Sequence, residues 1–217
     1  MKEKRQRKRA CLHQLRIWDE RWLKRLGGPD EGKKSRRFDF KPGVNIVIGP
    51  NGSGKSSLLE FIFDSVGVER KDRHRHGFSL KGDAGMYQRF DFEKHNPRGR
   101  TDGFMMMDLH AMQMHFAATC HSHGETTAKL LEMLAQSKLA PYRSFLFDEP
   151  EQALDPVGLM VLRQQLLHTR ARQIILATHA LPLVLEPSFH VVELRLGYRR
   201  ELVVAIMDYA ARAAELL

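Results

Sequence analysis

Cysteine is scarce in this chain: Cys11 and Cys120 are its only two. Two thiols cannot build a disulfide framework, so a reducing intracellular compartment, the cytoplasm, is the expected setting. Long apolar runs are lacking as well. None approaches the roughly 20 residues that a membrane span requires, and the basic start, Lys2–Arg9, is not followed by the apolar stretch of a signal peptide. Any membrane part would have to come from another chain. No heptad run exists, which excludes a long coiled-coil arm on this chain alone. No aromatic stacking platform or helix-turn-helix pattern stands out. The histidines near Cys120, His121 and His123 match no zinc spacing.

Positive charge is what the chain has in excess. The formal net charge is +9, concentrated in Lys2–Arg9, Lys33–Arg37 and Arg70–Arg75. Clustered Lys and Arg neutralise phosphates, so nucleic acid or an acidic protein is a candidate partner. A solubilising arm with solvated loops accounts for the same charge. Residues 1–10 read as a disordered basic arm, and 11–217 as a single α/β domain, long enough at 217 residues in all to bury a sizeable core.

One stretch organises the rest. Val44–Ile48 is a β-branched apolar run, as a buried parallel strand requires. Gly49-Pro50-Asn51-Gly52-Ser53-Gly54-Lys55-Ser56, continued by Ser57, has the Gly-x-x-x-x-Gly-Lys-Ser spacing of a phosphate-binding loop. An apolar pattern then resumes at Leu58, Leu59, Phe61 and Ile62, as a helix needs. Gly52 and Gly54 let the backbone bring its N–H groups to phosphate oxygens. The helix N-terminus adds further N–H groups and its positive dipole end. Lys55 would reach the β- and γ-phosphates, and the Ser56 hydroxyl would sit on Mg²⁺.

The second half supplies acids. Arg143-Ser144-Phe145-Leu146-Phe147-Asp148-Glu149-Pro150 is an apolar strand ending in two carboxylates. Carboxylates at the C-terminal end of a parallel strand face the ligand side of the sheet. Asp148 would hold Mg²⁺ through water, and Glu149 would take a proton from the attacking water. Around these anchors, Cys11–Asp19 reads as a first strand that pairs with the strand before the phosphate loop. Leu26–Arg37 reads as a loop, Phe38–Phe40 as a strand, Glu69–His76 as an exposed connection and Gly85–Glu93 as a strand. Phe104–Ala118, rich in methionine, and Thr126–Ala135 read as helices, and so does Val157–His168. Gln173–Ala177 is a further strand. Val191–Leu196 with Glu201–Ile206 reads as an edge hairpin, and Met207–Leu217 as a closing helix.

In this order the motifs resemble the ATP-binding-cassette superfamily of P-loop NTPases. The likeness runs from about Cys11 to Val204. It rests on Gly-Pro-Asn-Gly-Ser-Gly-Lys-Ser, on the run Glu149-Pro150-Glu151-Gln152-Ala153-Leu154-Asp155-Pro156, and on Thr178-His179. In place of the Leu-Ser-Gly-Gly-Gln signature stands His121-Ser122-His123-Gly124-Glu125. That form resembles stand-alone predicted ATPases of the chromosome-maintenance and recombination-repair branch, some of them antiphage ATPases.

The resemblance implies a mostly parallel sheet flanked by helices, with a small antiparallel N-terminal sheet, and ATP with Mg²⁺ as ligands. It implies a head-to-tail homodimer in which Ser122 and Gly124 of one copy cap the ATP of the other, with Asp155 at the interface. His179 would bond the γ-phosphate, and Gln88 would contact Mg²⁺ and the attacking water. The activity implied is ATP hydrolysis driving an open/closed cycle for a partner. Alternatives are the nucleotide-binding subunit of a transporter and a non-catalytic ATP-gated switch.

Overall fold

The computed structural model describes residues 11–27, 30, 33–83, 87–91, 144–152 and 154–214. Two sheets form the frame. The larger has five strands in the order β5-β6-β7-β3-β8 and is parallel throughout: β5 (Tyr87–Asp91), β6 (Ser144–Asp148), β7 (Gln173–Ala177), β3 (Gly43–Ile48) and β8 (His190–Glu193). The smaller is antiparallel, with β1 (Cys11–Ile17) between β2 (Arg36–Asp39) and β4 (Phe78–Asp83).

Successive side chains of a strand point to opposite faces, and a parallel strand buried on both faces therefore feeds two cores. In β3, Val47 enters one core while Ile46 and Ile48 enter the other. β6 divides in the same way into Leu146 against Phe145 and Phe147, and β7 into Ile175 against Ile174 and Leu176. The first core is closed by Leu58, Leu59 and Ile62 of helix α2 (Lys55–Val66) and by Leu15, Ile17 and Phe38 of the antiparallel sheet. The second is closed by Leu162 and Leu166 of α3 (Pro156–Leu167) and by Leu183 and Val184 of the short α4 (Leu181–Val184).

Several expectations are corrected. β1 does not pair with the strand that leads into the phosphate loop, because both edges of β3 are already taken by β7 and β8. Part of the stretch after β1 forms a helix, α1 (Glu20–Arg25), started by Asp19, whose Oδ1 accepts from Arg21 N and Trp22 N. β4 follows the connection expected at Glu69–His76, in residues for which no element was expected. The tail has no hairpin: Gly197 turns the chain at φ 83°, and Tyr198–Ala214 is one helix, α5. The expected helices at Phe104–Ala118 and Thr126–Ala135 lie outside the described residues, as do the basic arm, Ser122, His123, Gly124 and Glu125.

The two sheets are stitched together by Gln173. Its Oε1 accepts from Leu12 N and from the Tyr87 hydroxyl, and its Nε2 donates to the carbonyls of Leu12 and Lys41, all within 2.7–2.8 Å. Asn45 does similar work one strand away. Its Oδ1 accepts from Lys41 N at 2.8 Å while Nδ2 donates to the Lys41 and Ile174 carbonyls, fixing the turn that enters β3. Buried amides that saturate their donors and acceptors this way rigidify the frame on which the site is hung.

Candidate functional site: a phosphate loop facing two acids

The phosphate loop takes the shape its glycines permit. Gly52 and Gly54 hold φ of 74° and 91°, the left-handed region that side chains disfavour. At Gly54 a Cβ would lie 2.3 Å from the Arg25 carbonyl oxygen, so the end of α1 packs directly on the loop. Ser53 N donates to the Pro50 carbonyl at 3.1 Å, closing the turn, and α2 begins at Lys55. The Lys55 ammonium is buried and donates to the Gly49 and Pro50 carbonyls at 3.3 and 3.4 Å. Burial pulls its pKa below the usual lysine value, opposed by the charges of Glu149, Asp148 and Glu151.

Ser56 Oγ donates to Asp148 Oδ1 at 3.1 Å, which joins the helix after β3 to the end of β6. The pair offers a hydroxyl and a carboxylate oxygen at the start of a phosphate-binding helix. That is a hard, oxygen-only donor set, and it fits Mg²⁺, which takes one or two carboxylates together with substrate phosphates and water. Among the described residues no group of three or more His, Cys, Asp and Glu gathers into a separate metal centre. Arg89 of β5 comes within 3.9 Å of Asp148 Oδ2, a cation beside this carboxylate that the sequence did not signal.

Glu149 follows Asp148 with φ 47°, the one described non-glycine residue in the left-handed region. Backbone strain of this kind gathers at functional sites. Its N–H donates to the Ala177 carbonyl at 2.9 Å, and its Oε2 accepts from Gln152 Nε2 at 2.6 Å. Across the gap, His179 Nε2 lies 3.8 Å from Glu149 Oε1. Burial and the charge of Lys55 hold the imidazole below its usual pKa, against a smaller opposing pull from Glu149. At neutral pH this is therefore a neutral ring beside a carboxylate rather than an ion pair. Lys55, Ser56, Asp148, Glu149 and His179 thus converge at the C-terminal end of the parallel sheet.

One of the expected site residues is placed differently. Gln88 pairs with Phe145, whereas Asp91 pairs with Asp148. Three residues of strand, about 10 Å, separate Gln88 from the ligand edge, so Gln88 is not brought to the site. Asp155 is exposed and N-caps α3, its Oδ1 accepting from Gly158 N at 2.6 Å.

Two features escaped the sequence reading. Glu151 reaches the loop after β7, where its carboxylate accepts from the Thr178 hydroxyl and, at 2.9 Å, from His179 N. Burial pushes its carboxyl above the usual glutamate range, and those two donors partly offset the shift. The other feature is a recess of about 500 Å³ lined by Arg16, Trp18, Lys33, Lys34, Ser35 and His74, in which the Trp18 and His74 rings lie 5.2 Å apart. Trp18 adjoins the start of α1, and the other end of that six-residue helix touches Gly54. Recess and phosphate loop are therefore about 9 Å apart along the helix.

Comparison with known proteins agrees with the motifs. A family described as an AAA domain matches residues 33–108. A 28-residue stretch is 61% identical to a DNA double-strand break repair Rad50 ATPase of Nanoarchaeum equitans (strain Kin4-M), covering 13% of this chain and 4% of that protein. A 29-residue stretch is 59% identical to the DNA replication and repair protein RecF of Psychromonas ingrahamii, covering 13% of this chain and 8% of that protein. The chain thus aligns with a small fraction of either relative's length. Among solved structures, a nucleotide-free ATP-binding cassette from an ABC transporter has a TM-score of 0.44 at 14% identity, covering 73% of this chain and 80% of the other. Over these segments the chain is similar to an AAA domain and to an ATPase and a second protein of DNA repair.

Proposed function

We propose that the chain binds Mg·ATP and hydrolyses it in a head-to-tail homodimer, using the ATP cycle to open and close on a partner. The observation that carries this reading is the convergence of Lys55, Ser56, Asp148, Glu149 and His179 on one edge of the sheet.

The loop N–H groups and Lys55 hold the β- and γ-phosphates. Ser56 and Asp148 hold Mg²⁺, which supplies charge neutralisation to the phosphate oxygens when bound. Glu149 accepts a proton from water as its oxygen attacks the γ-phosphorus. The bond from that phosphorus to the β–γ bridging oxygen breaks, and ADP and phosphate leave. His179, neutral, accepts or donates one hydrogen bond at the γ-phosphate and orients the water. The Trp18–His74 recess receives the adenine, with Lys33 and Lys34 at its rim. Ser122 and Gly124 of the partner copy close over the triphosphate, and Asp155 lies at that interface.

For the partner of the cycle we favour nucleic acid, supported by the net charge of +9 and by the short stretches of similarity to repair proteins. The cytoplasm is the proposed setting; among the described residues no helix is long and apolar enough to cross a membrane.

The test is the Glu149→Gln variant. It is expected to bind ATP, lose at least about 100-fold in hydrolysis rate, and run as a dimer on size exclusion with Mg·ATP, while Lys55→Ala stays monomeric. A Glu149→Gln chain that binds nucleotide yet remains a monomer at saturating Mg·ATP contradicts the dimer mechanism.

A further inference from the structure

The hydrolytic scheme leaves one acid at the site without a task. Glu151 sits in the turn between Glu149 and α3, and its backbone carbonyl accepts from Leu154 N at 3.0 Å. Its side chain crosses to the loop after β7. There a single oxygen, Oε1, accepts both the Thr178 hydroxyl and the His179 N–H, and Thr178 Oγ1 in turn accepts from Ala180 N at 2.9 Å. Residues 178–180 are thereby gathered onto one carboxylate from a segment 27 residues earlier.

The arrangement is costly. Oε2 of Glu151 is buried with no hydrogen-bond partner among the described residues, and a buried acceptor left unsatisfied destabilises a fold. The charge of Glu149 nearby adds to the expense. An acid kept at such a cost beside reacting groups is explained by what it holds in place.

We propose that Glu151 is a positioning residue for ATP hydrolysis: it fixes the backbone of His179, and hence the imidazole, opposite Glu149, and ties that placement to the turn that ends at Asp155. The inference rests on the hydrolytic reading above. It gives the proposed interface a route to the γ-phosphate. A partner copy that shifts Asp155 moves the turn, the turn moves Glu151, and Glu151 carries His179 with it. The coupling is a hydrogen-bonded clamp between two segments already paired through Glu149 N and the Ala177 carbonyl.

The variants separate position from charge. Glu151→Gln keeps an oxygen that can accept both donors; Glu151→Ala keeps none. Thr178→Val removes one donor and leaves the carboxylate in place, while Thr178→Ser restores it. Hydrogen exchange on the nucleotide-free chain reads the clamp directly. In Glu151→Ala the His179 amide is expected to exchange about 10-fold faster or more, and in Glu151→Gln close to the wild-type rate.

Steady-state kinetics read the consequence. Glu151→Ala and Thr178→Val are expected to lose about 10–100-fold in kcat with KM for Mg·ATP within about threefold, whereas Glu151→Gln and Thr178→Ser keep most of the wild-type kcat. Unchanged exchange at His179 in Glu151→Ala, or a folded Glu151→Ala and Thr178→Val that both turn over like wild type, overturns the positioning role alone. A wild-type chain with no hydrolysis beyond that of Lys55→Ala overturns the hydrolytic reading itself.

Discussion

Glu149 places its carboxylate from a left-handed backbone, φ 47°, that costs an L-residue about 1–2 kcal/mol. Glycine adopts that conformation freely but loses more entropy on folding. Glu149→Gly is therefore expected to melt at the same temperature as wild type or a few degrees higher, with hydrolysis abolished; calorimetry and a phosphate-release assay check the two halves. The imidazole of His179 gives a second expectation. Burial and Lys55 lower its pKa and Glu149 raises it. In the nucleotide-free chain its NMR titration midpoint is expected below 6.5. It should fall further in Glu149→Gln, which removes the raising charge, and rise in Lys55→Ala, which removes a lowering one. The residues in this set whose types are dictated by phosphate chemistry were legible in the sequence, because the reaction fixes their spacing. Glu151 was not: its role depends on Thr178 and His179, and nothing local marks an acid for a partner that far along the chain.

At the scale of elements, the strands and helices that carry the site could be read, and those that brace it could not. β3, β6 and β7 are mostly apolar because both faces are buried, and α2 follows from its apolar period. β4 was missed because Lys81, Gly82 and Asp83 dilute its alternation, and α1 because six residues show less than two turns of pattern. The tail was misread for the opposite reason: Leu202, Val203 and Val204 look like a strand, yet β8 already pairs in parallel with β3 and offers no hairpin turn.

The bracing can be tested. Gly54→Ala would set a methyl 2.3 Å from the Arg25 carbonyl at φ 91°, and is expected to abolish nucleotide binding by pushing α1 off the loop, as fluorescent-ATP titration would report. Gln173→Leu removes four buried hydrogen bonds, among them the donor to the Leu12 carbonyl, and is expected to cost about 2–4 kcal/mol in urea unfolding. On the other face, Glu186 accepts from Ser188 N and Oγ and pairs with Arg163 of α3. These bonds, the Ser188 N–H first, lower its pKa below 4.5. Its contribution is thus complete above about pH 4.5 and lost as the pH falls through the lowered value. Glu186→Gln is expected to lower the melting temperature at pH 7 and to flatten its fall in acid.

For the whole molecule, the two sheets behave as one piece because a single strand is fastened at both ends. Gln173, at the start of β7, is bonded to the Leu12 backbone in β1 of the antiparallel sheet. Thr178, just past its end, is bonded to Glu151 beside His179. Five residues of β-structure, Gln173–Ala177, span the interval. The antiparallel sheet and the loop that carries His179 are consequently joined in series along a taut wire rather than through a hinge. Slack at either fastening would let one sheet shift without the other following it.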